Sequence, residues 1–225
     1  MSRAWSEEWA REGTALFLAA VAGLTDEQLR EPSALPGWTR AHVVAHLARN
    51  ADALINLLEW ARTGVETPMY SGPEQRDGDI ERGAKLPAAE LRADLLRSAE
   101  RFAKRVAEMP AEAWQGEVRT RQGRLIRGAE VLWMRSREVW VHQADLGTGI
   151  TFGNFPADFL VELIGDVTGS MTGPSVRIEA GEHTWTVGDG SPTVSGTPAA
   201  VAAWLTGRTA GDDLHGARPE LPGWL

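Results

Sequence analysis

Apolar residues in this chain recur at helical spacing up to about residue 146 and at strand spacing afterwards. Four helices are predicted in the first part. The first covers residues 3–23 and closes at Gly23. The second follows Pro36-Gly37-Trp38, takes Thr39 as its N-cap and runs to about Arg62, before Gly64. The third starts near Pro87, a good first-turn proline, and ends near Glu108, before Pro110. The fourth runs from about Gly128 to Leu146. Four helices of this length imply a four-helix bundle. The connections 64–86 and 110–127 are long, and loops of that length often carry function.

Past residue 146 the pattern becomes α+β. Ser175–Ala180 and His183–Gly188 alternate around Gly181-Glu182 and predict a hairpin. Pro192–Ser195 could add a strand, and Thr197-Pro198 opens a short helix, Ala199–Thr206, stopped by Gly207. Residues 157–172 read as another helix. Charge changes at the same place: residues 151–225 hold only Arg177, Arg208 and Arg218 as basic groups. The expected division is a helical domain over 1–148 and a smaller α/β domain over 149–225, with the break near Gly147-Thr148-Gly149.

Composition narrows the function. A net charge of −8 argues against nucleic-acid or anionic-membrane partners. No apolar run approaches the roughly 18 residues of a membrane helix. The acidic start, Met1 to Glu8, has no apolar core, so no secretory leader is expected and the default location is cytoplasmic. The chain has no cysteine. Disulfides and protein thiol nucleophiles are excluded, and any thiol chemistry needs a small-molecule thiol.

The candidate chemistry lies in Ser136-Arg137-Glu138-Val139-Trp140-Val141-His142. Glu138 and His142 are four apart and point the same way on a helix. His46 lies on the stripe Val43, His46, Asn50, Leu54, Leu57 of the second helix. Two imidazoles and one carboxylate make a zinc site with an open coordination position, as catalytic metals need. A bland reading stands beside it. A lone histidine on an apolar stripe is usually a hydrogen-bonded core residue. The face Val131, Arg135, Glu138, His142, Asp145 could be a solvated one, although Leu132, Trp133, Val139, Trp140 and Val141 flank it. Buried charges need partners or a metal. Asp145 and Asn50 are candidates to support the ligands from behind. His42, four before His46, is a competing ligand that ranks second because it lies in the helix's first turn. Trp38 and Trp140 are candidates to wall a cofactor pocket. Asp77-Gly78-Asp79 starts like a calcium loop but lacks the Glu at position 12.

Several strings resemble one family. Leu35-Pro36-Gly37-Trp38-Thr39-Arg40-Ala41-His42 leading into His46, Glu66-Thr67-Pro68-Met69-Tyr70, and Leu132 through His142 resemble the mycothiol-dependent maleylpyruvate isomerases. The Gly-Trp-Thr…His pattern is shared with the wider DinB-like superfamily. The resemblance implies a DinB-like four-helix bundle with a smaller C-terminal α/β domain. It implies a divalent metal, usually zinc, held by His46, Glu138 and His142, and mycothiol as cofactor. It implies a dicarboxylate substrate, maleylpyruvate, isomerised from cis to trans to give fumarylpyruvate. It places the family's active arginines on Arg76 and Arg208, which would bind substrate or thiol; the position of Arg208 just after the short helix makes it the candidate there to reach across the domain junction. A mycothiol S-transferase acting on an electrophile, or a non-enzymatic metal-binding protein, would fit the same fold.

Overall fold

The computed structural model describes residues 7–224. The chain forms two compact units that divide between Gly149 and Ile150. The part of the first predicted helix before residue 7, and Leu225, lie outside the described residues.

The first unit holds α1 (Glu7–Ala22), α2 (Asp26–Arg30), α3 (Arg40–Thr63), α4 (Pro73–Ala84), α5 (Ala88–Ala107), β1 (Glu117–Arg119), β2 (Leu125–Arg127) and α6 (Glu130–Asp145). The long helices α1, α3, α5 and α6 make a four-helix bundle. In it α3 packs mainly on α5 and α6, and α1 on α6. α5 shows the cause plainly. Leu91, Leu95, Ala99, Phe102 and Val106 recur every three or four residues and are buried. Each large side chain so buried stabilises the fold by about 1.5–3 kcal/mol.

Both long connections contain structure that their sequences hide. The segment 64–86 carries α4, and Asp77-Gly78-Asp79 is part of that helix, not of an ion-binding loop. The segment 110–127 carries a 3₁₀ turn, Ala111–Gln115, and the β1–β2 hairpin. Val118 and Ile126 root this hairpin in the core beside Leu57, Leu58 and Ala61 of α3. α2 is also an addition, opened by a capping box between Thr25 and Gln28.

The start of α3 matters for the site. The Thr39 backbone N–H donates to His42 Nδ1 at 3.2 Å, and Thr39 Oγ1 lies 2.7 Å from the same nitrogen. His42 thus takes the place that Glu or Gln fills in an ordinary capping box.

α1 and α6 approach closely at Gly13. A Cβ there would sit 2.6 Å from Val139 Cγ2 and 2.8 Å from Trp140 Nε1. Trp140 cannot easily retreat, because its indole N–H donates to the Trp9 carbonyl at 2.9 Å. Gly13→Ala should therefore destabilise the protein. Overpacking costs about 1–3 kcal/mol, against a helix-propensity gain of about 1 kcal/mol. A thermal midpoint at or above wild type would show that the two helices part freely.

The second unit holds α7 (Ala157–Ser170), β3 (Val176–Ala180), β4 (His183–Val187), β5 (Thr193–Gly196) and α8 (Pro198–Leu205). β3 pairs antiparallel with β4 and parallel with β5. Val176, Ile178 and Ala180 alternate inward from β3. Thr197 caps α8 by accepting from the Ala200 N–H at 3.2 Å. The fold is thus a helical bundle followed by a small α/β unit. No helix among the described residues is long and apolar enough to cross a membrane.

Candidate metal centre

α3 brings His46 to the middle of the first unit, and α6 brings Glu138 and His142. Glu138 Oε2 lies 2.9 Å from His46 Nε2 and 3.3 Å from His142 Nε2. The two imidazole rings meet edge to face, with centroids 4.8 Å apart. One donor atom from each of the three residues falls within a 4.8 Å span. A tetrahedral ion with bonds of about 2.0–2.1 Å spaces its ligands roughly 3.3 Å apart, so this donor set fits one divalent cation.

The surroundings prepare that arrangement. His142 Nδ1 lies 2.8 Å from Oδ2 of Asp145, which is fully buried. A hydrogen bond from Nδ1 fixes the ring and leaves the Nε2 lone pair facing the cluster. Burial works to lower the His142 pKa, but the contacts with Asp145 and Glu138 outweigh it and the net shift is upward. Burial lowers the His46 pKa, with Glu138 opposing. Glu138 is held well below the usual carboxylate range: burial works to raise it, and the two histidines overcome that. His46 Nδ1 is buried with no hydrogen-bond partner in the protein.

The other expected residues separate. His42 is turned away: its Nδ1 serves Thr39, and its Nε2 faces Glu81 of α4 at 3.3 Å. Asn50 accepts from the Arg135 guanidinium, not from a ligand (2.9 Å). Trp38 stands beside the cluster, its ring 5.6 Å from that of His46. The turn carrying it is tied down by Ser33, whose N–H donates to the Trp38 carbonyl at 2.8 Å. Trp140 is turned toward α1 and buried there, because residue 140 lies about 200° around the helix from residue 138.

Arg76, in the first turns of α4, is half-buried and bonds Asp77 at 2.7 Å. Its charge reaches His46, where it adds to the lowering of the pKa. Arg208 belongs to the second unit. It donates to the Thr206 carbonyl at 2.6 Å and lies 5.4 Å from the Trp224 ring centroid.

Two residues near the cluster carry no sequence signal of their own. Tyr70, the only tyrosine, has its pKa pushed to about 12, by burial first and then by the charge of Glu138. It is a neutral hydrogen-bond donor at working pH. Arg76 and Arg121, the latter in the β1–β2 turn, oppose that shift and so share its neighbourhood. Tyr70 stood out only as the end of the string Glu66 to Tyr70.

A helical bundle gathering two imidazoles and a carboxylate defines a class, the bundle proteins with a metal-capable His–Glu–His cluster. Comparison with known proteins narrows it. The family model described as the mycothiol maleylpyruvate isomerase N-terminal domain matches residues 10–147, and the chain belongs to that family. Two crystal structures match at a TM-score of 0.90 and 36% identity, covering 97% of this chain and 95% of theirs. They are the mycothiol-dependent maleylpyruvate isomerase and a variant of it with one histidine replaced by alanine. Both are thus forms of an isomerase enzyme. No curated protein matches the chain.

Proposed function

We propose that this protein isomerises maleylpyruvate to fumarylpyruvate in the cytoplasm, using mycothiol and a divalent ion, usually zinc, held by His46, Glu138 and His142. The observation that carries the reading is the convergence of these three donors in a chain that is similar, over 97% of its length, to an isomerase of that name.

When bound, mycothiol would supply a thiolate to add to the conjugated cis double bond and, after rotation about the resulting single bond, be expelled to leave the trans alkene, and an ion held by His46, Glu138 and His142 would lower the pKa of that thiol. The rest falls to the chain's own residues. Asp145 holds the His142 ring, and so keeps one ligand in a fixed tautomer. Trp38 packs its ring beside that of His46 and so limits how the imidazole can turn. Tyr70 is a neutral donor beside Glu138, suited to a carbonyl oxygen that gains charge as the thiolate adds. The substrate is a dianion and the protein carries a net charge of −8, so binding needs local cations. Arg76 fits that task, because a guanidinium grips a carboxylate with two parallel bonds. The resemblance gives Arg208 a similar role.

Arg76→Lys should lower kcat/KM by about 10- to 100-fold with metal content unchanged, since charged hydrogen bonds contribute about 1.5–3 kcal/mol. The same exchange at Arg208 tests its assignment. Wild-type kinetics in either variant would return that arginine to the solvated surface.

The experiment that tests the whole reading joins a metal assay to turnover of maleylpyruvate with and without mycothiol, following thiol concentration throughout. An isomerase forms fumarylpyruvate and leaves the thiol unconsumed. Stoichiometric loss of thiol would instead identify a mycothiol S-transferase. A metal-loaded protein that does neither would be a metal-binding protein.

A further inference from the structure

Arg135 is among the largest fully buried side chains in the protein, with 1% of its surface exposed. Its Nη1 donates to the Leu47 carbonyl and to Asn50 Oδ1, both at 2.9 Å. The guanidinium lies 5.8 Å from the Phe102 ring centroid of α5. Its Nε is buried without a partner, and no carboxylate among the described residues pairs with it. Burial lowers its pKa only to about 10, so it stays charged at neutral pH.

A buried cation with no carboxylate in direct contact is costly, and Glu138 and Asp52 offset that cost only through space. Replacing a buried charge together with its partners by apolar side chains of similar size often leaves stability unchanged or raises it, whereas removing the charge alone leaves its acceptors unpaired and lowers stability. The contacts show what the charge does instead. Leu47 directly follows His46, and Asn50 lies one turn further along the same stripe of α3. Arg135 precedes Glu138 by three residues, one turn of α6. A single guanidinium nitrogen therefore ties the turn after His46 to the turn before Glu138. A slip of one residue between these helices moves a ligand by about 1.5 Å, enough to break coordination.

We infer that Arg135 is a positioning residue for the metal centre: through Leu47 and Asn50 it sets α3 against α6 at the register the His46–Glu138–His142 cluster requires. This rests on reading that cluster as a metal site. It also gives Asn50 its role, as an anchor of Arg135 and not as a group touching a ligand.

The test is a Zn²⁺ titration of metal-free protein against a chromophoric chelator, with the thermal midpoint of each metal-free protein measured alongside. Arg135→Met should weaken Zn²⁺ binding about tenfold or more, and so should Arg135→Met combined with Asn50→Leu, whose metal-free midpoint stays equal or rises because no side-chain acceptor is left unpaired. Arg135→Lys keeps the charge and enough donors for both acceptors, and should bind within about threefold of wild type. Asn50→Ala, which removes one anchor, should weaken binding by about threefold or more. Wild-type affinity in Arg135→Met would overturn the inference. So would an affinity loss in the double variant matched by an equal loss of its metal-free stability, which marks a merely structural residue. If Arg135→Met does not fold, wild-type affinity in Asn50→Ala overturns it in the same way. Failure of the wild-type protein to bind Zn²⁺ would instead overturn the metal reading itself.

Discussion

His142→Ala should yield a protein that retains no divalent metal after desalting and has no isomerase activity, and His46→Ala and Glu138→Ala should do the same. The reason is the small number of ligands. Apparent zinc binding energies of about 10–16 kcal/mol shared over four protein ligands put each at roughly 3 kcal/mol, or a hundredfold or more in affinity. A site with three protein ligands has nothing to spare. His142 is the sharpest test, because its ring is already held by Asp145 at 2.8 Å and its loss opens a gap that no neighbour fills. His42, the other histidine on α3, is engaged by Thr39 and faces Glu81, so it is not free to substitute. Elemental analysis with a chelator titration decides the matter. Undiminished metal in the His142→Ala protein would remove the assignment.

The second large effect concerns the thiol. In thiol-free buffer the wild-type protein should show no turnover, and mycothiol should restore it fully. The chain has no cysteine, so no side chain can take over the addition to the double bond. Glutathione should be poorer by about a hundredfold or more, because a pocket that hydrogen-bonds a sugar-bearing thiol leaves buried polar groups unpaired around a peptide thiol. Steady-state rates in the three buffers measure this directly. Undiminished turnover without thiol would refute the mechanism.

The bundle is legible in the sequence where local chemistry marks its ends. Thr39 and Gly64 bracket α3, and Pro87 opens α5. α4 is hidden for a physical reason. It buries only Ile80 and Ala84 among its described residues, too few to show a stripe, and it carries two glycines. One of them, Gly83, exists for contact: a Cβ there would meet Ala45 Cβ at 2.8 Å, so helix propensity gives way to close packing. β1 and β2 each bury one residue, and no alternation can be read from so little.

The candidate site divides along similar lines. The four-residue step from Glu138 to His142 fixes their common face in any helix. His46 and His42 lie on α3 one turn apart, and the place of His42 in the helix's first turn already ranks it behind His46. What separates them is that His42 is close enough to the helix start to meet the free Thr39 N–H. Trp140 lies between Glu138 and His142 in sequence but across the helix from them in space. Tyr70 and Arg121 sit in connections, where no periodic pattern says what they approach.

His46 stands 92 residues before Glu138. Small zinc domains draw their ligands from short neighbouring segments, and their chains can seize the ion while still disordered. Here no local stretch offers more than two of the three donors. Joining the third in a random coil costs about 4 kcal/mol in loop closure alone. An unfolded or half-synthesised chain would therefore be a poor competitor for metal, and nearly all the binding energy of an ion held by these residues would go to the native state. On the proposed reading, acquisition of the ion would follow docking of α3 against α6 and would not direct it, so metallation would report that the first unit has folded.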